Sequence, residues 1–124
     1  VIRRVRDYAA VEELTDTDDD VCFSYLLKGR ANLWKLDLSM IGPFGIFVRA
    51  GSQMAPNDFV VPNKSDLSGY EVKIIDLLSA GGIRLLSSRE LEEPVPLTLF
   101  NTSRDHVRLY HALFSDCSSL PWSH

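Results

Sequence analysis

The sequence predicts an α+β fold: a single domain over residues 1–124 in which an antiparallel β-meander packs against two or three α-helices. Three observations predict it. Strand-like runs at residues 21–28, 32–39 and 44–50 are parted only by turn-forming residues, Lys28-Gly29-Arg30-Ala31 and Met40-Ile41-Gly42-Pro43. Residues 67–82 carry both the start and the stop signals of one helix. Val107, Tyr110, His111 and Phe114 fall at i, i+3, i+4 and i+7, the stripe of a second helix.

Composition fits one ordinary globular domain. The chain has 124 residues, 45% hydrophobic and 24% charged, enough to bury the core of one domain, and no second domain is expected. A net charge of −4 and a pI of about 5.3 oppose a general nucleic-acid footprint. The basic cluster Arg3, Arg4 and Arg6 is offset by Asp7, Glu12 and Glu13, as on a solvated helix face. No apolar run approaches the length needed to span a bilayer, and the first residues read as charged rather than as a signal peptide. Cys22 and Cys117 lie far apart with no metal-ligand spacing, so a reduced, cytoplasmic protein with two free thiols is expected, although distant cysteines can still meet in a fold.

Residues 1–14 carry the signals of a helix and of a strand alike, with the helix favoured. Residues 15–20, Thr-Asp-Thr-Asp-Asp-Asp, cannot sit in a core and form an exposed loop. They are not a calcium loop. Counting from Asp16, the positions that need glycine and a bidentate glutamate hold Val21 and Leu27. In the second strand Trp34, Leu36 and Leu38 alternate with Leu33, Lys35, Asp37 and Ser39, the pattern of a sheet with one face against helices. The third is less one-sided, with Phe44, Ile46 and Val48 against Gly45, Phe47 and Arg49. A long loop from Gly51 to Asn63 holds Phe59, a candidate core plug or binding element.

The helix expected over residues 69–80 has Ser68 as N-cap, Glu71 three residues on, and Leu67 and Val72 as a hydrophobic staple. Gly81-Gly82 stops it with a left-handed cap. Residues 83–86 form a short strand, and Ser87, Glu90, Leu86 and Leu91 repeat the cap and staple for a single turn that Pro94 ends. Residues 95–100 read as an edge strand because Pro96 cannot donate to a ladder. A final helix spans residues 104–114, and Leu120-Pro121-Trp122 is pinned to the body. The expected core is Phe23, Trp34, Leu36, Ile46, Val72, Ile75, Leu78, Leu85, Tyr110 and Phe114.

No phosphate loop, dinucleotide fingerprint, nucleophile elbow or zinc-protease motif occurs. His106 and His111 are five apart and fall on different faces of one helix, and His111 on the apolar stripe reads as a structural histidine. No catalytic residue, metal ligand or cofactor is expected. The acidic runs remain. Asp18, Asp19 and Asp20, with Glu92 and Glu93, are the candidate partner-binding residues, suited to capture of a cationic protein surface. The alternative is a small enzyme or ligand-binding domain, its site between sheet and helices near the Gly51 to Asn63 loop.

The meander with Leu33-Trp34-Lys35-Leu36, the stretch Leu85-Leu86-Ser87-Ser88-Arg89-Glu90-Leu91 with Pro94-Val95-Pro96-Leu97, and the closing Leu109-Tyr110-His111-Ala112-Leu113-Phe114 before Leu120-Pro121-Trp122 go together. This set resembles the small immunity proteins of bacterial polymorphic toxin and contact-dependent growth inhibition systems. The resemblance implies a cytoplasmic inhibitor that binds one cognate toxin domain, often a nuclease; charge and hydropathy separately point to no nucleic-acid or membrane partner. It supplies no residue set.

Overall fold

The computed structural model describes residues 2–6, 10–14, 21–29, 32–50, 58–95, 107–115 and 120. Its elements run α1 (Ile2–Val5), β1 (Ala10–Glu13), β2 (Cys22–Lys28), β3 (Leu33–Ser39), β4 (Phe44–Ala50), α2 (Gly69–Ala80), β5 (Arg84–Leu85), α3 (Ser88–Leu91) and α4 (Leu109–Leu113). The fold is α+β, and the sheet order β1-β2-β3-β4-β5 follows the chain. β1 to β4 pair antiparallel as the expected meander, whereas β5 returns across α2 to pair parallel with β4. Residues 1–14 contain both a helical turn and a strand, which is why their pattern read both ways.

Parity along the strands builds two cores. Tyr25, Leu27, Trp34, Leu36 and Phe47 pack with Ile74, Ile75 and Leu78 of α2 and Val5 of α1. On the opposite parity Cys22, Ile46 and Val48 pack with Leu91 of α3 and with Tyr110 and Phe114 at α4. The sheet is therefore covered on both faces, and the expectation of a single packed face is corrected. The mixed pattern of β4 has this cause: Phe47 packs in the core under α2 while Ile46 and Val48 pack in the core with α3 and α4, so both parities are buried. Ser39 on the second face donates from Oγ to the carbonyl of Leu113 at 2.7 Å, tying β3 to α4.

α2 spans the expected residues, and its capping box is complete: Ser68 accepts from the Glu71 amide, and Glu71 accepts from the Ser68 amide. At its end Gly81 has φ −82, so the left-handed residue is Gly82 at φ +80. Ser87 and Glu90 form the second box. The last helix is shorter than expected. It begins at Leu109, because Val107 and Arg108 are extended and bridge to residues 94 and 95, where Val95 donates to the Val107 carbonyl at 3.0 Å. Residues 104–106 of that expected helix and 96–100 of the expected edge strand lie outside the described residues.

Eight of the ten expected core residues are buried. Phe23 and Val72 are not, at 42% and 43% exposure. Phe23 shares the parity of Tyr25 and Leu27 but lies near the start of β2, opposite the partly buried Leu38, and Val72 lies on a helix that buries Glu71 beside it. Phe59 bridges antiparallel to Val48 and packs half-buried on the second core, as does Leu120. One glycine is fixed by crowding: a Cβ on Gly29 would lie 2.9 Å from Trp34 Cζ3.

Candidate functional site

The first turn of α2 meets the ends of β3 and β4 in a cleft of about 420 Å³ lined by Asn32, Trp34, Arg49, Asp58, Ser68 and Glu71, among others. Cross-strand pairing places Trp34 opposite Arg49, both on the parity that faces α2. The capping box fixes Glu71 above them. Its side chain is 2% exposed. Arg49 Nε donates to Glu71 Oε2 at 2.7 Å and Nη2 to Oε1 at 2.8 Å, a two-point clamp. Trp34 Nε1 donates to Oε2 at 2.9 Å, and the Ser68 amide to Oε1 at 2.8 Å. Each carboxylate oxygen thus accepts two donors.

The remaining Arg49 donors reach outward, to Asp66 Oδ2 at 3.3 Å, to the Asp66 carbonyl at 3.0 Å and to Asp58 Oδ2 at 3.4 Å. Lys64 joins both acids, 3.0 Å from Asp58 and 3.6 Å from Asp66. The Arg49 guanidinium holds the Glu71 carboxyl down to about 2, with the Ser68 amide and Trp34 indole adding to the effect against the cost of burial. Arg49 is raised further above the range of an ordinary arginine by the same pairing, and Asp66 is lowered by its bond from Arg49. A carboxylate saturated by four donors and ionised down to about pH 2 is not a general base. The cluster fastens α2 to the sheet.

Glu71 was legible in the sequence as a capping residue only. Arg49 was not singled out, although one signal pointed to it: an arginine on the parity of Phe47 must find an anion on the buried side of the strand.

The sequence-expected partner-binding residues divide. Glu92 and Glu93 lie exposed just beyond α3, and the Glu93 carbonyl accepts the Leu109 amide at 2.9 Å, which holds their backbone against the start of α4. Asp18, Asp19 and Asp20 lie outside the described residues. Glu90 is taken up by its cap and by an ion pair with Arg84. His111 is 3% exposed, its Nδ1 accepts the Arg108 amide at 2.9 Å and its ring meets Tyr110 edge-on, a structural arrangement as expected. His106, His124 and Cys117 lie outside the described residues.

Among the described residues no group of three or more histidine, cysteine or acidic side chains is placed to hold a metal ion, and no helix is long and apolar enough to cross a membrane. No family model, curated protein or solved structure matches the chain.

Proposed function

We propose that the protein is a cytoplasmic inhibitor that binds a cognate protein toxin domain and masks its basic surface. The observation behind this reading is how the acidic groups are disposed. The buried carboxylate of Glu71 is closed in by its four donors, while Glu92 and Glu93 are held outward on a backbone fixed to α4. Ionised groups of the first kind stabilise the fold, and those of the second steer a cationic partner.

The test is native co-purification at low salt, followed by association kinetics with the recovered partner across ionic strength. A basic protein whose association slows several-fold between low and physiological salt is the expected result, and Glu92→Gln with Glu93→Gln should slow capture without moving the melting temperature. Recovery of no protein partner at low salt would end the reading.

One specific observation favours a second reading, a small-ligand site. The cleft over Arg49 lies between sheet and helix and is bordered by Asp58, within the loop that the sequence singled out. Binding of a metabolite that is abolished by Asn32→Trp, at the mouth of the cleft, would select this reading over the first.

A further inference from the structure

Three helices of this fold start alike, with the amide of the residue before the helix donating to a side chain three positions on. At α2 the Ser68 amide donates to Glu71 Oε1 at 2.8 Å, and at α3 the Ser87 amide donates to Glu90 Oε1 at 3.2 Å. At α4 the Arg108 amide donates to His111 Nδ1 at 2.9 Å. The acceptors differ in chemistry. A carboxylate keeps its acceptor oxygens through neutral and mildly acidic pH, whereas an imidazole that takes a second proton carries N–H on both nitrogens and accepts nothing. The bond from Arg108 therefore fixes His111 as the neutral ring with its proton on Nε2.

His111 is 3% exposed, so a proton arriving at Nδ1 would meet the Arg108 N–H with no water to take its place. Among the described residues, the ionisable groups on the elements packed against α4 are Cys22 on β2, Lys35 and Asp37 on β3, and Arg89, Glu90, Glu92 and Glu93 at α3, with Arg108 and Tyr110 in the segment itself; β4 turns only Ile46 and Val48 to this side. Asp37 is the buried anion of this set, with Lys35 3.7 Å from it. An anion favours a charged ring but cannot restore the lost acceptor, so a charged ring left in place sets donor against donor at the cap. We propose that His111 makes α4 a pH-sensitive element: when its imidazole charges in mild acid, the ring leaves the cap and the first turn of the helix opens, while α2 and α3 keep their caps. The Leu109 amide bonds the Glu93 carbonyl at 2.9 Å, so the backbone that carries Glu92 and Glu93 loses its anchor in the same step. The sign follows from linkage. The closed turn has no place for the proton and the opened one takes it up as an ordinary histidine does, at about pH 6.5, so the turn is fully held above that pH and its opening grows about tenfold per pH unit below it.

The test is amide exchange on the isotopically labelled whole chain between pH 7 and pH 5, with protection taken relative to an unstructured chain at each pH. Opening at the Arg108 and Leu109 amides should rise roughly twentyfold over that range, as uptake of one proton by an ordinary histidine requires, while opening at the Ser68 amide changes by less than about twofold. Ring nitrogen shifts should show a bare Nδ1 on His111 wherever the Arg108 amide is protected. His111→Gln keeps an acceptor at this cap position and cannot charge, so its Arg108 protection should stay flat with pH; if that variant melts early, the ring shifts of the parent chain decide. Equal changes at Arg108 and Ser68, an undiminished pH dependence in His111→Gln, or a ring that charges while the Arg108 amide stays protected would each overturn the proposal. None of these measurements uses a partner, so the inference stands apart from the inhibitor reading and can fail without it.

Discussion

Arg49 of β4 and Glu71 of α2 hold each other through two parallel hydrogen bonds of 2.7 and 2.8 Å, across 22 residues of chain. The pair joins the meander to the helix, and the two donors from Trp34 and Ser68 leave neither Glu71 oxygen with spare capacity. Removing the charge breaks the balance on the side of Arg49.

Glu71→Gln should therefore destabilise the protein by about 3 kcal/mol, because it takes one partner from a largely buried ion pair and leaves a donor facing a donor. Asp66→Asn, on a side chain 66% exposed and screened by solvent, should change stability far less than Glu71→Gln. Urea denaturation at neutral pH measures both, and equal losses would contradict the clamp.

The same pair sets an acid limit. The Glu71 carboxyl lies at about 2 in the folded chain against an ordinary 4.5, so its stabilisation is fully present above pH 4.5 and is lost as pH falls through about 2. The contribution is about 3 kcal/mol at neutral pH. Asp66 is shifted in the same direction and adds to the loss. Denaturant midpoints should fall across that window for the parent chain and fall much less for Glu71→Gln.

Burial separates the apolar positions of α2. Leu78→Ala, at a residue fully buried between helix and sheet, should cost about 2–5 kcal/mol, whereas Val72→Ala should cost less than about 1 kcal/mol. Thermal melts of the two variants check this, and a larger loss for Val72 would contradict the orientation of the helix.

The thiol of Cys22 is 2% exposed in β2, with its sulfur 3.7 Å from Ser24 Oγ. Alkylation in native buffer should be slow at Cys22 and complete within minutes in denaturant without reductant. An intact mass two protons light would show a disulfide instead.

Local signals carried most of the fold. The two capping boxes, the turn residues around β3 and the period of the strands each act within a few residues, and those elements stand where the sequence put them. What local pattern could not carry was relation between distant segments. Parallel return of β5 to β4, burial of both sheet faces and the seating of Arg49 under Glu71 all depend on where α2 lands. The extended Val107 and Arg108 show the same limit, since a helical period was overridden by a bridge to residues 94 and 95. Of the candidate binding residues, the sequence placed Glu92 and Glu93 correctly at the surface, and the polar cleft escaped it because the partners of Arg49 lie 9 to 22 residues away.

The strand order also sets a sequence of events in refolding. Neighbours in the sheet from β1 to β4 are neighbours in the chain, so those pairings close short loops, on the scale of microseconds for a hairpin. β5 has no place until β4 is laid down and α2 has crossed, and closing that longer loop comes at greater entropic cost. The expected rate-limiting ensemble contains the meander before α2 has docked, and so lacks the clamp. Leu36→Ala should slow folding, while Glu71→Gln should leave the folding rate nearly unchanged and speed unfolding. Stopped-flow chevrons would separate the two, and the lifetime of the native state would be governed by how firmly Glu71 holds.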